Sequence, residues 1–262
     1  MASSSVLARR IAATRAATTG LVLVGALTVG VVPAYAGTST LPDRLSHLGK
    51  SRQVVTVTSS SWSTSYAKLS TWRKRKDGNW RRVIGPVPAR IGYAGFALAA
   101  DRLQGTGTTP AGTFRIGRGF GSNKDPGTAM PYRRFDRNDY WPGDPRDPRT
   151  YNVYQFKRAS MARWRTSWAE RLWDFRAEYA HAAVIRYNMP HRRYRADDGQ
   201  RFAKDKANTT RGGAIFLHVN GDDDTAGCVS VSARRMRKLL RWFDPDRVPR
   251  IVMGPKDEIG SM

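Results

Sequence analysis

The chain has 262 residues, 40% hydrophobic and 10% aromatic, which is enough apolar material for one large or two small packed cores and too much for disorder throughout. Lys and Arg outnumber Asp and Glu by 45 to 21, a formal net charge of +24, and the basic residues are scattered rather than gathered in one tract. A single cysteine excludes an internal disulfide, and one thiol among dispersed histidines argues against a zinc site.

The N-terminus reads as an export signal. Arg9, Arg10 and Arg15 form a basic region, Gly20 to Val32 is an apolar run too short to span a bilayer, and Ala34-Tyr35-Ala36 supplies a small-x-small cleavage pattern. Residues 1–36 are therefore read as a signal peptide, with an uncleaved anchor as the alternative. The expected location is secreted or wall-associated, with no membrane span after signal removal. Outside the cell the available polyanions are envelope polymers and anionic lipid head groups, so anionic wall polymers are candidate partners and nucleic acid is not. A lone thiol in that compartment is either buried or kept for its reactivity.

Residues 37–50 read as a linker or first short helix, 51–254 as one catalytic-type domain and 255–262 as a tail. Gln53 to Ser59 and Ser65 to Arg73 are β-branched and aromatic and predict two strands. Arg73-Lys74-Arg75-Lys76 then runs into Asp77-Gly78-Asn79, a hairpin end, and Trp80 to Ile84 returns as a third strand. Gly85-Pro86-Val87-Pro88 breaks the pattern. Ala89 to Leu98 continues the sheet, with Gly92 and Gly95 marking close backbone approach. Gly105 to Ile116 is glycine-rich but lacks a phosphate-loop pattern, so a loop entering a strand is expected. Met130 to Tyr151 reads as a long ordered loop whose aromatics line a groove. Met161, Trp164, Trp168, Leu172 and Phe175 fall at three- and four-residue intervals, predicting an amphipathic helix that packs on the core. Ala182 to Ile185 is a buried strand, and 190–210 a polar, basic loop beside the site. Ser232 caps a helix with Met236, Leu239, Leu240 and Phe243 on one face, and Arg250 to Met253 is a last short strand.

The strongest functional signal is 214–231. An apolar run delivers His218, a Gly/Asp/Asn-rich stretch turns the chain, and Thr225-Ala226-Gly227 leads into Cys228 and a second strand, Val229-Ser230-Val231. This predicts strand, tight turn and strand, with thiol and imidazole at the two mouths of the turn. A free thiol is only a few per cent ionised at neutral pH, so a histidine within reach is needed to take its proton and return it to a leaving amine. Gly227 lets the backbone approach a substrate carbonyl, placing amides where an oxyanion forms. Asp222-Asp223-Asp224 lacks the ligand spacing of a calcium loop and reads as a solvated turn. As a hypothesis, it attracts an acceptor amine. His47, His181 and His191 take structural or exposed positions, and no metal or cofactor is expected.

Ile215 to His218 followed by Thr225-Ala226-Gly227-Cys228-Val229-Ser230-Val231 resembles the signature of the L,D-transpeptidase (YkuD-type) catalytic domain. Thr108-Thr109-Pro110-Ala111-Gly112-Thr113-Phe114 is similar to an upstream segment of that family. Tyr140-Trp141 through Asp144-Pro145 to Tyr151-Asn152, and Val184 to Asn188, look like segments of its secreted actinobacterial branch. The resemblance covers roughly residues 50–254. It implies a mainly β or α+β fold of mixed, sandwich-like sheets with a few flanking helices, and peptidoglycan stem peptides as substrate. In that scheme Cys228 attacks the carbonyl of the third residue, terminal D-alanine leaves, and an amine on a second stem peptide resolves the thioester. His218 is base and then acid, and Thr225 and Gly227 shape the turn and oxyanion site. Two departures stand out: the His-to-Cys spacer is short, and Ser230 replaces an arginine common in the family, which bears on a substrate contact. A carboxypeptidase using water as acceptor and a non-catalytic polyanion binder are the competing readings.

Overall fold

Strand alternation and ladder register account for most of the architecture. The computed structural model describes residues 39–156 and 163–262. The signal-peptide reading, the first two residues of the expected linker and Met161 lie outside them. Strands β1 (Gln53–Ser59), β2 (Tyr66–Lys74) and β3 (Trp80–Arg90) form an antiparallel meander. The basic run Arg73 to Lys76 sits at the β2–β3 hairpin, closed by Gly78 at φ +85°. β3 continues through Gly85-Pro86-Val87-Pro88, where a break was expected. A register shift absorbs the irregularity, and Thr71 Oγ1 accepts the Ile84 amide at 2.9 Å in place of a ladder bond.

Short β4 (Phe96–Leu98) pairs in parallel with β5 (Thr109–Gly121), the long strand that the glycine-rich stretch enters. The region expected as a loop holds β6 (Tyr132–Arg134) and β7 (Asp139–Pro142), and β8 (Gln155–Phe156) follows. Gly92 does meet close backbone: a Cβ there would lie 2.1 Å from the Gly107 carbonyl oxygen.

The amphipathic helix expected over 161–175 is replaced, from Arg163 on, by a 3-10 turn (Thr166–Trp168), β9 (Ala169–Arg171) and a second 3-10 turn (Leu172–Phe175). The competing force is strand pairing: Ala169, Glu170 and Arg171 lie opposite Pro142, Trp141 and Tyr140 of β7. Trp164 and Leu172 are buried, whereas Trp168 and Phe175 are exposed, so the aromatic stripe is not one helical face.

β10 (Ala182–Ile185) matches the predicted buried strand. The basic stretch after Pro190 forms a hairpin, β11 (Arg193–Arg195) with β12 (Arg201–Ala203). β13 (Phe216–Val219), β14 (Val229–Val231), helix α1 (Ala233–Trp242) and β15 (Arg250–Pro255) complete the chain order. Met236, Leu239 and Leu240 of α1 and the following Phe243 are fully buried, as the periodicity requires.

The main sheet runs β10-β13-β14-β3-β2-β1-β15-β5, and a further β5–β10 pairing returns the ladder to its start. The main sheet, of mixed parallel and antiparallel pairings, thereby forms a closed circuit, and β11–β12 and β8–β7–β9 are separate small sheets. The link between β14 and β3 is one residue pair, Ser230 opposite Arg90. One hydrophobic core, including Val55, Leu69, Leu217, Val229, Val231, Met236, Leu239 and Ile251, draws on most strands of this circuit and on α1. A second, aromatic core joins Phe120, Val184 and Phe216 of the circuit to Trp141 and Leu172. Residues before and after the strands belong to the same unit: Leu45, Leu48 and Ile259 are buried in the first core, and Thr113 Oγ1 donates to the Met262 carbonyl. Among the described residues no helix is long and apolar enough to cross a membrane.

Candidate active site

β13 and β14 lie side by side in parallel, with Leu217 opposite Val229 and His218 opposite Ser230. The connection is therefore not the tight turn expected from the spacing. Residues 220–228 cross back along the strands and deliver Cys228 beside the start of β13. Period-two alternation assigns the side chains. Leu217, Val229 and Val231 enter the first core, while Phe216 and Cys228 enter the aromatic core. Phe216, His218, Cys228 and Ser230 share that second face.

The cysteine turn is held by two threonines. Thr225 Oγ1 donates to the Cys228 carbonyl at 2.7 Å and accepts the Gly227 amide at 3.2 Å. Thr109 Oγ1, from the start of β5, donates to the Gly227 carbonyl at 2.9 Å and accepts the Gly92 amide at 2.8 Å. Gly227 has φ +138°, and a Cβ there would come within 2.8 Å of the Thr108 carbonyl oxygen and 2.9 Å of Arg102 Nη2. Only glycine fits. Because the Gly227 amide is spent on Thr225, it is not open to an oxyanion in this state.

The thiol is buried between backbone groups. Cys228 Sγ accepts the Phe216 amide and donates to the Ala214 carbonyl, both at 3.3 Å. Ala214 adopts φ +53°, uncommon for a residue with a Cβ, and its amide donates to Asn152 Oδ1 at 3.0 Å. Burial pushes the thiol up to about 12, the Glu170 carboxylate adds to this, and the Phe216 amide and Arg102 guanidinium work against it.

His218 Nδ1 lies 2.7 Å from the Val219 carbonyl oxygen. A carbonyl only accepts, so Nδ1 carries the proton and Nε2 keeps its lone pair. Burial lowers the imidazole to about 4, with the Val219 carbonyl and Glu178 opposing. Thiol and imidazole are thus both neutral at rest, and no hydrogen bond joins them directly.

Both line one cavity of about 450 Å³, together with Thr225, Tyr179, Glu170, Glu178 and Asp222 to Asp224. Five acidic side chains line this cavity, in contrast with the +24 charge of the chain. Asp224 pairs with Arg90 at 3.2 Å, while Asp222 and Asp223 are exposed and make no ion pair among the described residues. Tyr179 donates its hydroxyl to Glu170 Oε1 and stands edge-on to His218, ring centroids 5.3 Å apart. Burial raises Glu170 to about 7. Among the described residues no group of three His, Cys, Asp or Glu side chains is placed to hold a metal ion.

Of the residues singled out by sequence, Cys228, His218 and Thr225 line the cavity. Gly227 and Ser230 do not. Ser230 is 1% exposed and its hydroxyl has no hydrogen-bond partner among the described residues. Arg102 Nε and Nη1 donate to the carbonyls of Thr108 and Arg211 at 2.7 Å, and its guanidinium weakly opposes the upward shift of the thiol. Sequence reasoning missed Glu170 and Tyr179 because one was assigned to a helix and the other to a strand flank. It missed Asn152 and Thr109 as supports for the cysteine turn, although both lie in stretches that carry the family resemblance.

Fold and cavity together define a mainly β domain with a single thiol in an enzyme-type pocket. A family model described as the L,D-transpeptidase catalytic domain, YkuD, matches residues 67–252, and the chain belongs to that family. Membership brings transpeptidase-type activity and peptidoglycan as substrate class. Searches of curated proteins and of solved structures returned no match.

Proposed function

We propose that this protein is an exported L,D-transpeptidase that forms a thioester on Cys228 and passes the acyl group to an amine. The observation that carries this is the shared face of Cys228 and His218, with Nδ1 pinned to a carbonyl and Nε2 left as acceptor. Both groups start neutral, so the proton leaves Sγ as the sulfur attacks rather than beforehand. Nε2 takes that proton, the C–S bond forms at the carbonyl of the third stem residue, and the peptide C–N bond breaks. The departing D-alanine amine receives the proton from His218. A second amine then attacks the thioester, gives a proton to Nε2, and Sγ recovers it as the C–S bond breaks. The Phe216 amide can hold the sulfur through the cycle, whereas the bond to the Ala214 carbonyl exists only while the thiol keeps its proton.

The acidic rim favours transfer over hydrolysis. An ammonium-bearing acceptor is drawn toward the exposed Asp222 and Asp223, whereas water is not. Export rests on the N-terminal pattern of Arg9, Arg10, Arg15, the apolar run and Ala34-Tyr35-Ala36. The test is Cys228→Ala with a tetrapeptide donor and an amine acceptor. Loss of cross-linked product, with a carbapenem mass adduct on wild type but not on the variant, supports the reading. Product formed by Cys228→Ala overturns it.

A further inference from the structure

A second cavity, about 490 Å³, is lined by Arg118, Arg186, Arg193, Arg195 and Arg201 against a wall that includes Trp141 and Tyr154. It lies across the aromatic core from the thiol: Trp141 lines this cavity and packs on Phe216, ring centroids 4.8 Å apart, whose amide reaches Cys228 Sγ. None of the five guanidiniums makes an ion pair among the described residues. Asp205, the acidic residue that acts on Arg193, is engaged by the amides of His191 and Arg192.

The arrangement is held against repulsion. Arg195 and Arg201 are direct cross-strand partners in the β11–β12 hairpin, where like charges destabilise the pairing. Both lie over the Phe156 ring, at 5.2 and 4.7 Å, which fixes their direction. Arg118 Nε is buried with no hydrogen-bond partner among the described residues. Gly117 keeps the floor open, since a Cβ there would press on Val184 and Arg186 at 3.2 and 3.4 Å. Burial and the neighbouring arginines lower Arg193 and Arg201, and for Arg193 they outweigh the opposing Asp205. The pair Arg73 and Arg81 is also cross-strand but faces no such cavity, so pairing alone does not make a site.

We infer that this cavity is a binding site for a diphosphate group, free or esterified. Five fixed positive charges in so small a volume call for several negative charges on few atoms. Carboxylates bring one charge each, whereas a diphosphate concentrates its charge on two adjoining phosphoryl groups that guanidinium forks match. The apolar wall accommodates whatever the diphosphate is attached to.

Titration calorimetry with inorganic pyrophosphate, inorganic phosphate and a glycerol-phosphate oligomer tests this, on wild type, on Arg195→Gln/Arg201→Gln and on the matched control Arg73→Gln/Arg81→Gln. The expected result is pyrophosphate bound roughly tenfold or more tighter than phosphate, lost roughly tenfold in the cavity variant and unchanged in the control. Equal loss in the control would show binding by net charge and overturn the site. Tighter binding of the oligomer than of pyrophosphate overturns the diphosphate assignment. If the double variant does not fold, Arg118→Gln replaces it: pyrophosphate should raise the melting temperature of wild type and not of Arg118→Gln, and an equal rise refutes the site. Cys228→Ala should bind pyrophosphate as wild type does, which separates this site from the acyl-transfer chemistry.

Discussion

The side-chain oxygen of Asn152 accepts the amide of Ala214 at 3.0 Å, and the carbonyl of that same Ala214 accepts the thiol of Cys228 at 3.3 Å. A residue far from the cysteine motif in sequence thus sets the backbone against which the thiol rests. Asn152 also accepts Trp141 Nε1 at 2.7 Å and donates to the carbonyls of Tyr187 and Asn188. Asn152→Ala leaves several buried polar groups unpaired at once, at about 1–3 kcal/mol each when no water replaces the amide. The expected outcome is a melting temperature lowered by several degrees and slower carbapenem acylation of Cys228, measured by thermal denaturation and time-resolved mass spectrometry. Acylation at the wild-type rate would show that Ala214 keeps its backbone without Asn152.

Thr109→Val keeps the shape of a fully buried side chain and removes its hydroxyl. The Gly227 carbonyl and the Gly92 amide then lose a partner. A cost of about 1–3 kcal/mol is expected, read from denaturant unfolding, with kcat falling more than KM rises because the cysteine turn loosens. Thr109→Ser should recover most of both.

Two buried groups give stability slopes of opposite sign. Glu170 is raised by burial to about 7, so its contribution is full below the ordinary carboxylate range and is lost as pH rises through about 7. His218 is lowered to about 4, so its contribution is full above the ordinary imidazole range and is lost as pH falls toward about 4. Between these limits the two oppose each other. Glu170→Gln should therefore make the melting temperature fall more steeply on acidification, and His218→Gln should make it fall more steeply toward neutrality. Melting curves across this range check both signs.

The same groups shape the rate. With the imidazole lowered to about 4 and the thiol raised to about 12, neither titrates around neutrality, and Glu170, raised to about 7, is expected to give an inflection of kcat/KM near pH 7. Glu170→Gln should abolish that inflection, whereas His218→Gln should lower the rate by about 10²–10⁴-fold at every pH tested.

Replacing Asp222, Asp223 and Asp224 together by asparagine removes three of the five acidic side chains that line the cavity. The KM for a cationic acceptor should rise several-fold, its salt dependence should flatten, and hydrolysis should gain on transfer. Partition ratios measured by chromatography with amine and water competing test this; an unchanged ratio assigns the run to solvation alone.

Much of the β framework was readable because its signals are local. The β-branched run of β1, the alternation of Leu217, Val229 and Val231, and the spacing of Met236, Leu239 and Leu240 each identify an element without knowledge of its neighbours. What escaped depends on partners distant in sequence. Ala169 to Arg171 has helical spacing around it and becomes a strand only because β7 offers an edge. The parallel pairing of β13 and β14 cannot be told from an antiparallel hairpin by spacing alone. Glu170 and Asn152 reach the pocket through such pairings and turns, and no short-range pattern points to them.

The clamp that Thr225 and Thr109 place on Gly227 and Cys228 separates two lengths that sequence comparison tends to merge. Residues inserted or deleted between Asn220 and Asp224 change only how far the acidic rim projects, because the thiol is anchored downstream of them. A single residue gained between Thr225 and Val229 would instead rotate Cys228 into the Leu217–Val229 core. Any change in the length of that spacer is accordingly a change in the depth of the doorway, made without moving what stands behind it.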